Sequence, residues 1–272
     1  MREPDSTTRF VKVDEAKDPT QFVKYLEAVT STDFAKAYKQ LTFSLLDIRP
    51  GSHVLDVACG LGDDVRTLAE MVGSSGRAVG MDYSETMVNE ARRRTIGTGL
   101  RAEFLVGDAY HLDFSDSSFD ATRPDRVYQH LHDPNKALGE MVRVTRSGGR
   151  LAIADPDSDM LVVDSSERTV TRRILALHSD EHPNGWIGRQ LPRLFQKSGL
   201  ADVSIKPVTM IVSDYALADP IFGLSECAER AAEKGIITKE ERKRWLESLE
   251  DARREDCFFS AVTVFVVCGR KL

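Results

Sequence analysis

Three aspartates stand at the ends of three short apolar runs: Asp56 in "HVLDVAC", Asp82 in "RAVGMD" and Asp108 in "AEFLVGDA". After the first run comes Gly60-Leu61-Gly62, whose glycines tolerate unusual dihedrals and let a ligand approach the backbone. Asp82 follows Gly62 at the spacing where an acid accepts hydrogen bonds from both ribose hydroxyls of a nucleotide. Three acids at three successive strand ends form a far more specific pattern than one GxG.

The same stretch argues against a phosphate. A dinucleotide loop needs a third glycine at position 65, which is Val65, and a bare helix N-terminus for its pyrophosphate. Here Asp63 and Asp64 open the helix. At an effective dielectric near 20, two like charges about 4 Å apart repel by on the order of 4 kcal/mol. No GK[ST] follows, which excludes P-loop chemistry. The residues therefore point to a nucleoside that lacks phosphate and carries positive charge. S-adenosylmethionine (SAM), an adenosine with a sulfonium and an ammonium, meets that description. Capping and the helix dipole also favour the two aspartates, by about 0.3–2 kcal/mol.

The elements that position these acids alternate. "HVLDVAC", "RAVGMD", "AEFLVGDA", the start of "FDATRPDRVYQHL" and "RLAIADP" read as strands. "DDVRTLAEMV", "SETMVNEARRRT" and "PNKALGEMVRVT" read as helices between them. Such alternation implies right-handed crossovers, a mainly parallel sheet and helices on both faces. Upstream, "PTQFVKYLEAV" and "TDFAKAYKQLTFSLLDI" have helical spacing, with Pro19 and Thr32 as start signals. Downstream, "ADVSIKPVTM" and "FFSAVTVFVVCGRKL" are two late strands separated by a largely helical stretch, a cap or an interface helix pair. The expected organisation is an N-terminal helical segment at 1–49, a cofactor-binding core at 50–210 and 258–272, and a helical cap or insertion at 211–257.

"VLDVACGLGDD", "VGMDYS", "VGDA" and "GGRLAIADPD" together resemble the class I SAM-dependent methyltransferases. The resemblance is to the small-molecule branch related to the ubiquinone and menaquinone C-methyltransferases (methyltransferase domain 11), and covers residues 50 to 157 well. It implies an α/β, Rossmann-like, seven-stranded sheet with the last strand antiparallel. It also implies site residues. Asp56 and the loop from Ala58 through Gly60 to Gly62 would face the methionine part. Asp82 would hold the ribose hydroxyls, with Tyr83 and Met87 flanking the adenine. Asp108 would accept from the adenine amino group with Ala109 beside it, and Arg126 would offer its backbone carbonyl to the ammonium. Two positions depart from the pattern. Ala58 stands where the family has its first loop glycine, and "TRPDRV" makes the fourth strand's end unusually charged.

Methyl transfer is an in-line displacement, and a hydroxyl or acidic C–H acceptor wants a general base. In "RVYQHLHDP", Tyr128, His130 and His132 follow the fourth strand, and His130 is the first candidate base. Asp155 and Asp157 end the fifth strand and would bind acceptor or cap the next segment. His178, His182 and Trp186 read as packing groups or parts of a lid. The histidines lack metal-ligand spacing, so no metal is expected.

Composition narrows the partners. The 272 residues are 41% hydrophobic and 29% charged with a net charge of -6, ordinary for a globular chain. The acidic balance argues against nucleic acid and anionic membranes. "MREPDSTTRF" lacks the apolar core of a signal peptide, and "AVTVFVVC" is too short to span a bilayer. The four cysteines show no CxxC pair and read as reduced thiols in a cytoplasmic protein, monomer or homodimer. The leading expectation is methyl transfer from SAM to a small secondary-metabolite or quinone-like acceptor. Two alternatives share the fold: intramolecular displacement on SAM, giving a cyclic amino acid or lactone plus methylthioadenosine, and non-catalytic SAM binding.

Overall fold

The computed structural model describes residues 10–272. The first nine residues of the expected 1–49 segment, and with them most of "MREPDSTTRF", lie outside the described residues. The strands are β1 (His53–Val57), β2 (Arg77–Asp82), β3 (Ala102–Val106), β4 (Phe119–Pro124), β5 (Thr145–Pro156), β6 (Val162–Val163), β7 (Ala201–Val212) and β8 (Ser260–Arg270). The first five pair in parallel in the order β3-β2-β1-β4-β5. β8 inserts antiparallel between β5 and β7. Among the described residues there are eight strands rather than the expected seven. The extra one, β6, is two residues long and pairs with β8 alone. Without it the sheet has the expected seven strands, with the last one antiparallel.

The helices before and between these strands are α1 (Thr20–Thr30), α2 (Asp33–Leu45), α3 (Asp63–Val72), α4 (Glu85–Thr95) and α5 (Pro134–Val144). Three of them, α2, α4 and α5, start at side-chain caps. Thr32 accepts from the Ala35 N–H, Ser84 from Met87 and Asp133 from Lys136. Pro19 precedes α1 without a side-chain cap. Strand alternation sends Leu55, Val57, Val79 and Met81 into one core with Leu138 and Met141 of α5. Val54 and Ala78 go to the opposite face, against Phe43 of α2, Leu68 of α3 and Val88 of α4.

Past β5 come α6 (Arg168–Asp180) and α7 (Ile187–Lys197), the latter carrying Pro192 inside it. The stretch between β7 and β8 forms α8 (Tyr215–Phe222), α9 (Leu224–Glu233) and α10 (Lys239–Arg254). These helices build a second core on α6 around the buried Trp245, whose Nε1 donates to Thr171 Oγ1 at 2.9 Å.

Gly62 shows how tightly this half of the sheet and its helices are drawn together. Its φ is 73°, and a Cβ there would lie 2.5 Å from Phe104 Cε1 and 2.9 Å from Ala91 Cβ. No side chain fits between α3, β3 and α4 at that point. Gly62→Ala adds left-handed strain to overpacking and should lower stability by about 2–4 kcal/mol, read as a fall in the urea midpoint. A midpoint equal to the parent's would contradict this packing.

Candidate functional site

The carboxyl ends of β1 to β4 converge, and the loops after them surround a cavity of about 390 Å³. The loop after β1 is folded onto its neighbours by backbone. Cys59 N–H donates to Met81 O at 2.9 Å and Gly60 N–H to Asp82 Oδ2 at 2.8 Å. Asp82 Oδ1 takes the Ser84 N–H at 2.9 Å, so this carboxylate shapes both turns while facing the cavity. Burial raises its pKa above the ordinary carboxylate range, against the pull of the Ser84 and Gly60 amides. Asp108 Oδ1 accepts from the Tyr110 N–H at 2.8 Å.

Ala58, Gly60, Asp82 and Tyr83 line this cavity, as do Met87, Asp108, Ala109 and Arg126. Asp56 lies instead on a polar annex of about 50 Å³ that shares Ala58, Gly60, Asp125 and Arg126 with the main cavity. Gly62 lines neither, and its Cα packs against Phe104 and Ala91. Ala58 occupies the family's glycine position with φ 58°, and Arg126 has φ 56°. Two non-glycine residues thus hold the left-handed conformation at the cavity wall, a strain typical of sites where position matters.

Much of the roof comes from the N-terminal segment. Phe10, Val13, Tyr25 and Leu26 cover the cavity, whereas no residue of 211–257 lines it. Asp14 fastens this segment to the start of α4. Its carboxylate accepts from Ser84 Oγ at 2.7 Å, Glu85 N–H at 2.9 Å and Thr86 N–H at 3.2 Å. These residues escaped the sequence reading because amphipathic helices do not announce which face covers a ligand.

The two aspartates at the start of α3 behave differently from the expectation that they attract a cationic ligand. Asp64 is buried and accepts from Arg123 Nη1 at 2.6 Å and Lys39 Nζ at 3.0 Å. Asp63 pairs with Arg66 one turn on. Arg123, wholly buried in β4, also reaches Asp56 Oδ1 at 3.3 Å and Asp125 Oδ2 at 3.8 Å, and lies 5.1 Å from the Phe43 ring centre. Lys39 Nζ stands 3.4 Å from Asp125 Oδ2, which also takes the Tyr38 hydroxyl at 3.0 Å. Burial pushes Asp56 up, only partly countered by Arg123. It also opposes the charge on Asp64, but Arg123 and Lys39 hold that carboxyl below its usual range. The charges of "TRPDRV" therefore join a structural network.

Five polar atoms at this end are buried without a hydrogen-bond partner among the described residues: Arg123 Nε and Nη2, Asp125 Oδ1, Arg126 Nε and His130 Nδ1. His130 closes a 3-10 turn, Tyr128–His130, that Asp155 builds. The Asp155 carboxylate accepts from the N–H groups of Val127, Tyr128 and Gln129 at 3.1, 2.9 and 3.2 Å. Burial nonetheless raises its pKa to about 7. The His130 ring sits 5.8 Å from both Phe10 and His182. Burial, with His182 and Arg126 adding to it, lowers its pKa to about 3. Asp157 is taken by Arg189 at 2.7 Å, and neither it nor His178, His182 or Trp186 lines the cavity. No group of three or more His, Cys, Asp or Glu among the described residues is arranged to hold a metal.

A Rossmann-like sheet with acids at the ends of β1, β2 and β3 defines a nucleoside-binding protein. The pattern of the methyltransferase domain matches residues 48–248. A chain described as an uncharacterized 37.1 kDa protein in transposon TN4556 of Streptomyces fradiae is 41% identical over 235 residues, 86% of this chain and 67% of that one. Demethylmenaquinone methyltransferase of Bacillus cereus is 30% identical over 193 residues, 65% of this chain and 81% of the enzyme. Among solved structures, YcgJ from Bacillus subtilis superposes with a TM-score of 0.60 at 18% identity, covering 87% of this chain and 99% of that one. Geranyl diphosphate C-methyltransferase from Streptomyces coelicolor gives 0.56 at 14% identity, over 88% and 76%. These two likenesses concern the fold. The chain belongs to the methyltransferase-domain family, as a SAM-dependent enzyme.

Two outcomes test this geometry. Arg123→Met leaves Asp56, Asp64 and Asp125 buried without their guanidinium and should cost about 3–5 kcal/mol in urea unfolding. A change below the measurement error would mean the three acids need no counterion. For His130, the unfolded imidazole takes a proton below about pH 6.5 while the folded one stays neutral down to about 3. Stability should therefore fall with pH across that window, by about 1.4 kcal/mol per unit from this group. In His130→Asn the loss between pH 7 and pH 5 should be smaller by about 2 kcal/mol. Equal losses in variant and parent would contradict a neutral buried imidazole.

Proposed function

We propose that this enzyme methylates a small, largely apolar, quinone-like or aromatic secondary-metabolite acceptor. The observation that carries the reading is the cavity itself. Beside Asp82 and Asp108 it is walled by Phe10, Val13, Tyr25, Leu26, Val127 and Leu131, with the neutral His130 ring as a polar point. The likeness to a demethylmenaquinone methyltransferase supports an acceptor of that kind. In this reading Asp82 holds the ribose hydroxyls, Asp108 the adenine amino group, and Tyr83 and Met87 the adenine faces, with Ala109 beside them. Asp56, Ala58 and Gly60 lie toward the methionine part, and the Arg126 carbonyl faces the ammonium.

The acceptor atom attacks the methyl carbon from a distance of about 3–3.5 Å, and the C–S bond breaks to leave a neutral thioether. His130, neutral across the physiological range, accepts a hydrogen bond from the acceptor and orients it. As a base it is weak, so the nucleophile must already be electron-rich. A cytoplasmic setting, as monomer or homodimer without nucleic acid or membrane, rests on the net charge of -6 and four free cysteines. No helix among the described residues is long and apolar enough to cross a membrane.

Calorimetry should show S-adenosylhomocysteine binding to the parent and about tenfold or greater weakening in Asp82→Ala, which removes hydrogen bonds to a charged acceptor. Incubation with SAM and a panel of hydroquinones and naphthols should then yield a product heavier by one methyl substituent, read by mass spectrometry. Binding without any methylated product across the panel would overturn the acceptor class. No binding at all would overturn the cofactor assignment.

A further inference from the structure

Tyr110 ties two loops together at the wall of the cavity. It follows Asp108 and Ala109 after β3, and its own N–H donates to Asp108 Oδ1 at 2.8 Å. Its ring is partly buried against the core that holds Tyr128 and Leu131. Its hydroxyl reaches the chain beyond β4, where it accepts from the His132 N–H at 2.7 Å and the Asp133 N–H at 3.1 Å. Asp133 is the N-cap of α5, so these amides belong to fixed backbone. Tyr110, Leu131 and His132 line the cavity, as does His130 just before them. A phenol oxygen has two acceptor lone pairs and one proton. Two amides occupy the lone pairs here, and no acceptor among the described residues takes the proton. A hydroxyl that elsewhere plays either part is thus left to act on a ligand only as a donor. The two incoming N–H groups polarise it in the sense that strengthens that donation.

We propose that the Tyr110 hydroxyl determines specificity by donating a hydrogen bond to an oxygen of the methyl acceptor. This rests on the reading of the cavity as a site for SAM and a quinone-like acceptor, and adds which polar groups that acceptor carries. The neutral His130 takes a hydrogen bond from the acceptor, and Tyr110 gives one to it. A molecule matched to both has one hydroxyl to donate and a second oxygen to receive. A hydroquinone or an alkoxyphenol has that pair, and a phenol with only alkyl substituents does not. When the second oxygen is missing, a docked ring leaves the Tyr110 proton without a partner. A site built for a hydrogen bond rejects the analogue lacking it through that penalty. Adenosine binding is separate from this choice, because Asp108 is oriented by the Tyr110 backbone N–H rather than by its side chain.

Two ligands of one shape test it: 4-methoxy-1-naphthol and 4-ethyl-1-naphthol, which differ by an oxygen in place of a methylene. Each is titrated by calorimetry into enzyme saturated with S-adenosylhomocysteine, for the parent and for Tyr110→Phe. His132 and Asp133 are exposed, so the variant leaves their N–H groups to solvent rather than buried. The affinity of the methoxy compound relative to the ethyl compound should fall by about threefold to tenfold in Tyr110→Phe. S-adenosylhomocysteine affinity should stay at the parent's. The ratio of the two naphthols cancels any general loosening of the cavity, which would weaken both alike. An unchanged ratio overturns the proposal. So does loss of S-adenosylhomocysteine binding in the variant, which would assign the hydroxyl to holding the loops instead. A parent complex that binds neither naphthol removes the quinone-like acceptor itself and the role of Tyr110 with it, an outcome distinct from an unchanged ratio.

Discussion

Arg123 is the constraint on which this site depends. One guanidinium, taken wholly out of water in the middle of a sheet, meets carboxylates from β1, from the first turn of α3 and from the segment after β4. Desolvating that charge is expensive, and only a closed set of counterions offsets it. The strand ends, the glycine loop and α2, through Lys39 and Tyr38, are therefore placed relative to one another by electrostatics as well as by packing. An apolar residue at 123 would serve packing alone. The ion network additionally fixes where the loop after β1 ends and where Asp125 and Arg126 begin.

The cavity above that network divides into ends of different chemistry. Toward β2 and β3 lie exposed Tyr83, buried Met87 and two carboxylates whose remaining lone pairs suit hydroxyl and amino groups. Toward β4 and β5 lie Arg126, the turn held by Asp155, and a ring sequence from Phe10 through His130 to His182. Asp155 gives three acceptor contacts to one turn and none to the cavity, so its contribution is to aim His130. The roof is borrowed from far away in sequence, and Asp14 ties it to the same Asp82–Ser84 turn that borders the cavity.

The sheet was legible because the strands and helices from His53 to Pro156 carry their own periodicity, and α4 and α5 their own caps. Two-residue β6 could not be read, since no period is visible in Val162–Val163. The strand-end acids Asp82 and Asp108 were legible for the same local reason. Asp64 was not, because its partner lies 59 residues away and a sequence shows a charge without its counterion. Gly60 and Gly62 look alike in "GLG", yet one faces the cavity and the other faces Phe104, a distinction made only by the third dimension. The anomaly in "TRPDRV" was visible as charge where apolar residues belong, and its resolution needed the neighbours of β4.

The placement of β8 carries a further consequence for how the chain is made. Ribosomal synthesis delivers β5 and β7 first, and the strand that joins them comes only after α8, α9 and α10. At about 5–20 residues per second, the nascent chain carries two open strand edges for a few seconds before Ser260–Arg270 emerges to close both. Pro207 in β7, and Lys206 beside it, are the kind of residues that keep such an edge from pairing with another chain in the meantime.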